Sequence, residues 1–188
     1  QGLEDLGEIY AGCKMGVAVP RYFELDSVSQ MKADSSIYGN VFYGVKREAG
    51  VMISAITAFR NYEMHPKIME LEEDELLERA QMMVDKEENF VMAAWSPHWM
   101  VNHFDLKFLE DTSAYFGETD EIHAYGRSKF EADNPKVAEI IKRISFSEGQ
   151  MSSLLLEMKD TKNEEEYKKA TSKWIAGNRG VVNKWLGK

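Results

Sequence analysis

Two tryptophans four residues apart, Trp95 and Trp99, bracket Ser96-Pro97-His98 at the end of an apolar run that begins at Phe90. A tryptophan face attracts cations through its ring quadrupole, and a quaternary ammonium, having no N–H to donate, can be held only by aromatic faces and methyl contacts. Earlier in the chain, Glu48-Ala49-Gly50 turns into a helical pattern that starts at Val51. The first N–H groups of such a helix lack intrahelical acceptors and sit at the positive end of its dipole, an arrangement that takes a carboxylate or phosphate. Each feature is ordinary on its own, since tryptophans usually pack and glycines usually turn. Together they would suit a ligand with a cationic and an anionic end.

The histidines do not assemble a reaction centre. His98 and His103 are five apart, which misses the i, i+4 spacing of a helical metal pair, and no Cys or carboxylate cluster accompanies them. His65 precedes a proline in a polar turn, and His123 alternates in a strand-like stretch. The chain has no G-x-S-x-G, P-loop or H-E-x-x-H motif. No catalytic residue, metal ligand or cofactor is expected, and a metal-dependent enzyme is disfavoured. Cys13 is the single cysteine, which rules out an intramolecular disulfide and reads as a small buried hydrophobe.

Those candidate residues need elements to place them. The 188 residues are 44% hydrophobic and 29% charged, with 23 Lys+Arg against 32 Asp+Glu for a net charge of −9, a globular and acidic balance that argues against a nucleic-acid partner. No stretch reaches the ~18 apolar residues of a membrane-spanning helix, and the first ten residues lack the basic and apolar regions of a signal peptide. Leu3 to Tyr10 reads as an amphipathic lead-in and Lys14 to Pro20 as a strand. Asp26 is expected to cap a helix over Ser27 to Lys32, and the polar link Ala33 to Asn40 to carry the chain between lobes. From residue 42 the order is strand, helix, strand, helix, strand: Phe42–Val45, Val51–Tyr62, Ile68–Glu72, Glu73–Glu88, Phe90–Trp95. That alternation predicts a parallel α/β sheet, with Trp95 near the carboxyl edge where such sheets bind ligands. The acids from Glu70 to Glu75 read as a solvated helix start. Short strands are expected at Leu106–Leu109 and Ile122–Gly126, and helices thereafter. These are a Pro135 start with the stripe Val137, Ile140, Ile141 and Ile144, a Ser147/Gln150 capping box, an Asn163/Glu166 box, and a last short helix through Trp185. Trp174 and Trp185 are read as packing residues.

Trp95-Ser-Pro-His-Trp-Met, followed by Phe104-Asp-Leu-Lys-Phe-Leu-Glu-Asp111, resembles the glycine betaine binding proteins of ABC transporters, the OpuAC-like family. Ala11 to Tyr22 with Asp26-Ser-Val, Tyr43 to Met52, and Glu118-Thr-Asp-Glu-Ile-His123 through Asn134-Pro135 fall in register with the same family. The resemblance implies an α/β, periplasmic-binding-protein-like (type II) lobe with a mainly parallel sheet flanked by helices, plus C-terminal helices. It implies that Trp95 is one wall of a tryptophan cage and that the backbone N–H groups of Gly50 and Val51 hold the ligand's carboxylate. Arg47-Glu48-Ala49-Gly50 stands where the family usually has Pro-Gly-Ala-Gly.

The tryptophan and histidine segments of the family's other half are missing, so the resemblance makes residues 1–188 a partial substrate-binding domain whose N-terminal lobe lies elsewhere. Within it, 40–128 is the α/β lobe with the half-site and 129–188 a helical segment. The implied function is capture of glycine betaine or a related quaternary ammonium osmoprotectant for an ABC importer. The implied partners are the betaine-type ligand, a permease and the missing lobe, at an extracytoplasmic, membrane-associated location. A half-site of this kind is expected to bind betaine weakly or undetectably by itself. An alternative of the same architecture is a two-lobed ligand-sensing domain of a regulatory protein.

Overall fold

The computed structural model describes residues 2–188. The order is β1 (Leu3–Pro20), α1 (Val28–Ala33), a 3-10 turn (Ser35–Tyr38), β2 (Val41–Gly44), α2 (Gly50–Asn61), β3 (Lys67–Glu70), α3 (Glu73–Asp85), β4 (Val91–Ser96), α4 (Trp99–His103), β5 (Leu106–Phe108) and β6 (Asp120–Arg127). Helices follow: α5 (Phe130–Asp133), α6 (Pro135–Lys142), α7 (Glu148–Met158), α8 (Glu164–Gly177) and α9 (Arg179–Trp185). The chain divides into two compact units. The first takes the chain up to Cys13, Pro97–Trp99 and Thr119–Lys188; the second takes Lys14–Ser96 and Met100–Glu118.

The second unit is a sheet in the order β3-β2-β4-β1-β5. β2 pairs in parallel with both β3 and β4, as the strand-helix alternation predicts. β1 joins antiparallel to β4 and β5, so the sheet is mixed at that side. Phe42, Val91, Ala93, Val17 and Val19 form one face with Met52, Ala55 and Phe59 of α2, all fully or almost fully buried. Ala18, Met92 and Ala94 are buried as well, and by strand alternation they face the opposite side. Both faces are covered, which is what a near-continuous apolar run such as Val91–Ala94 requires.

Several local expectations shift. Leu3 to Tyr10 is not a separate lead-in but the first half of the long strand β1. The helix α1 is capped by Ser27 rather than Asp26: Ser27 Oγ accepts from Gln30 N, and Gln30 Oε1 accepts from the N–H groups of both Asp26 and Ser27. Ala33–Asn40 lies wholly inside the second unit, because Asp34 caps the 3-10 turn through Ser36 N at 2.9 Å and Tyr38 is buried. The second unit, which holds β2 to β5, runs from Lys14 to Glu118 apart from Pro97–Trp99.

In the first unit, β6 runs antiparallel to the N-terminal half of β1 with register shifts between Asp5/Glu8, Glu8/Tyr10 and Ala11/Cys13. Each shift leaves an unopposed residue and bends the ribbon. The Ser147/Gln150 capping box forms with both bonds. Asn163 caps α8 through Glu166 N at 3.0 Å, but the Glu166 carboxylate accepts from Lys162 N instead of closing the box. Trp174 is buried, donates from Nε1 to Ser153 Oγ at 2.8 Å, and stacks on Trp185 at 6.2 Å with Phe146 against both. The α6 stripe is only partly covered, with Ala138 buried and Val137 49% exposed. Cys13 is partly exposed rather than buried, and burial first, then the nearby Asp120 carboxylate, pushes its thiol pKa up.

Candidate functional site

Parallel strands that share one sheet end their carboxyl termini on one edge. Here β2 stops at Gly44, β3 at Glu70 and β4 at Ser96, and a cleft of about 470 Å³ opens at that edge. Trp95, Gly50 and Val51 all line it, so the structure brings together the three residues singled out in the sequence. Trp95 is partly buried and packs against the core of the second unit. Its cross-strand neighbour in the β1–β4 register is Met15, whose thioether also lines the cleft.

α2 opens directly into the cleft. Its N-cap is Ala49, which has no side chain able to accept from the first turn, so no side chain caps this helix. Gly50 adopts no positive φ, and a Cβ built on it would meet nothing nearer than Met15 Sδ at 3.9 Å. The glycine therefore leaves open space beside the helix start rather than serving a turn that demands it.

Three charged lining residues stand outside the site expected from the sequence. Lys46 lies on the β2–α2 turn, and Glu72 and Glu73 lie at the start of α3. Lys46 Nζ is 2.9 Å from Glu72 Oε1, and that bond together with the negative charge beside it raises the ammonium pKa from its ordinary value. The acids do open a helix, as the sequence suggests, with Glu75 Oε2 accepting from Glu72 N at 3.2 Å. They also give the cleft an acidic side, which a cationic ligand would favour. Met15 could have been found from the Lys14–Pro20 alternation only by knowing which strand lies beside β4.

Trp99 belongs to the first unit, where Lys159 Nζ sits 5.2 Å from its ring centroid and His98 lies 5.4 Å away, and it does not line the cleft. His103 Nε2 pairs with Gln81 Oε1 at 3.1 Å. His123 lies between two carboxylates, with Nδ1 2.9 Å from Asp5 Oδ2 and Nε2 3.1 Å from Glu121 Oε2. Among the described residues no group of three or more His, Cys, Asp or Glu side chains gathers as a metal site would. No described helix is long and apolar enough to cross a membrane.

A mixed sheet flanked by helices, with a cleft at the strand ends that Met15, Val51 and Trp95 line, gives the second unit a fold of the periplasmic-binding-protein type. Residues 1–177 match the family described as the substrate binding domain of ABC-type glycine betaine transport systems, and the chain belongs to that family. It is a family of binding domains and not of enzymes. The chain is 29% identical over 145 residues to the glycine betaine/carnitine transport binding protein GbuC of Listeria monocytogenes serotype 1/2a (strain 10403S), an overlap of 76% of this chain and 47% of that protein. It thus spans about half the length of that curated relative.

Solved structures agree on the fold. Lactococcal OpuAC, in its closed-liganded conformation with glycine betaine, superposes with a TM-score of 0.71 at 23% identity, over 98% of this chain and 71% of that one. The glycine betaine/L-proline-binding protein ProX of Borrelia burgdorferi gives 0.70 at 24% identity, over 97% and 69%. A choline binding protein in complex with choline gives 0.67 at 19% identity, over 98% and 66%.

Proposed function

We propose that this chain is part of the substrate-binding component of an ABC importer for glycine betaine or a related quaternary ammonium osmoprotectant, and that Trp95, Gly50 and Val51 hold the ligand. The observation that carries the reading is the convergence of the three on one cleft at the carboxyl ends of the parallel strands. Trp95 offers its face to the trimethylammonium group, and Met15 and the acids Glu72 and Glu73 favour the positive end. The N–H groups of Gly50 and Val51, at the uncapped start of α2, receive the carboxylate. The family supplies the rest of the proposal: a permease partner, an extracytoplasmic location, and a further lobe that closes over the ligand.

Magnitudes set what this cleft does by itself. A desolvated cation–π contact contributes about 2 kcal/mol, and two hydrogen bonds to a charged carboxylate about 1.5–3 kcal/mol each. Association costs about 4 kcal/mol or more. The balance is at most a few kcal/mol, and about 4 kcal/mol corresponds to millimolar affinity. Titration of glycine betaine into this chain, followed by the Trp95 indole resonance, should give a millimolar or weaker Kd that Trp95→Ala abolishes. The protein lengthened by the proposed lobe should bind far more tightly. Micromolar affinity of this chain would overturn the half-site reading, and an unresponsive indole would overturn the ligand assignment.

A further inference from the structure

The N–H groups of Gly50 and Val51 can receive a carboxylate only if the turn that presents them is held still. That turn, between β2 and α2, has one internal hydrogen bond, from Ala49 N to Lys46 O at 3.0 Å, and no side-chain cap on the helix it opens. Two ion pairs tie it sideways to the neighbouring β3–α3 junction. Arg47 Nε donates to Glu70 Oε1, on the last residue of β3, and Lys46 Nζ reaches Glu72 Oε1, on the N-cap of α3. Between them the backbone is also stitched, Leu71 N donating to Gly44 O at 2.9 Å.

We propose that Arg47–Glu70 and Lys46–Glu72 are positioning residues, a two-point ionic latch that holds the β2–α2 turn so that the N–H groups of Gly50 and Val51 converge on one carboxylate. This rests on the ligand reading above. Arg47 and Glu70 do not line the cleft, so their part is played through the turn and not by contact with ligand. Both pairs are substantially exposed, with side-chain exposures of 57% and 38% for Arg47 and Glu70. Exposed pairs of this kind contribute little to folding, so the latch acts on the geometry of the turn rather than on whether the unit folds.

The latch has a signature that general destabilisation lacks. Glycine betaine and choline share a trimethylammonium group, but only betaine carries a carboxylate. Loss of the latch therefore weakens betaine and spares choline. It also differs in sign from a simple field effect. Removing the negative charge of Glu70 leaves the turn more positive, which by potential alone would strengthen betaine binding; with the turn released it weakens.

The test is indole-resonance titration of both ligands into the wild type, Arg47→Gln, Glu70→Gln and Arg47→Lys. The Kd for betaine should rise about threefold to fivefold in both Arg47→Gln and Glu70→Gln, with choline within about twofold and Arg47→Lys close to wild type. Tighter betaine binding in Glu70→Gln, or equal loss of both ligands, would overturn the latch while leaving the ligand assignment intact. A wild-type indole that responds to neither ligand would overturn the assignment, and the latch with it.

Discussion

The two units are built from the same kinds of element but bury them very differently. In the second unit, strand and helix faces meet, and Phe42, Met52, Ala55, Val91 and Ala93 are wholly removed from solvent. In the first, the buried apolar residues are Leu6, Tyr10, Ala138, Met151, Ala170 and Trp174, while Leu3 is 74% and Tyr125 60% exposed. The sheet of the first unit is a two-stranded ribbon, β1 with β6, and such a ribbon is marginal without other support. The same unit holds an aromatic cluster of Phe146, Trp174 and Trp185. Apolar periodicity thus marks which face of a helix is fit for burial, while coverage depends on what else packs there.

Core truncation should break this comparison most visibly. Phe42 is fully buried and meets Phe59 edge to face at 4.9 Å, so Phe42→Ala should cost about 3–5 kcal/mol in urea unfolding. Val137→Ala, in the half-exposed stripe of α6, should stay within about 0.5 kcal/mol. A large cost at Val137 would mean that the first unit is as tightly packed as the second. A smaller contrast comes from glycines. A Cβ on Gly126 would lie 2.8 Å from Phe130 Cβ and 3.2 Å from Leu6 Cδ1, so Gly126→Ala should cost about 1–3 kcal/mol even in the loosely buried unit. Gly50→Ala, with its nearest neighbour at 3.9 Å, should leave unfolding almost unchanged.

How much of this could be read in advance follows the same division. The parallel core β3-β2-β4 is legible in the alternation of strand and helix, which puts strand ends and helix starts on one edge, whereas the grouping of Trp95 with Gly50 and Val51 is what the family resemblance implies. Met15 was not, since its place beside Trp95 depends on the antiparallel insertion of β1, a pairing between distant segments. Glu70 and Glu72 read as part of a solvated helix start, with nothing in the sequence to pair them with Lys46 and Arg47. Only the adjacency of the two strand-to-helix junctions pairs them. Ala33–Asn40 reads as a polar link, yet such a stretch can be satisfied locally by its own caps and still pack a buried tyrosine, as Asp34 and Tyr38 do here. The Asp5, Glu121 and His123 group was invisible for a further reason: irregular register between β1 and β6 sets which residues face one another.

That group yields the smallest of the expected effects, confined to the first unit. His123 lies between Glu121 and Asp5 and stacks on Tyr125 at 6.2 Å. Its pKa is raised, by the hydrogen bond to Glu121 first and that to Asp5 second. The pKa of Asp5 is lowered, by the Gly7 N–H first and His123 second. A histidine with a raised folded-state pKa adds stability that is fully present below its unfolded value, about 6.5, and is lost as pH rises through the folded value. The lowered carboxylate adds stability present above its unfolded value, about 3.9, and lost as pH falls through the folded one. The ion pair that bridges β1 and β6 is therefore strongest in mildly acidic solution. Thermal unfolding followed by Trp174 and Trp185 should show a midpoint that declines modestly from pH 6 to pH 9 in the wild type. In His123→Gln that alkaline decline should flatten. The Trp95 signal of the second unit should keep the same pH dependence in both proteins, and a decline that persists in the variant would assign the effect to other groups.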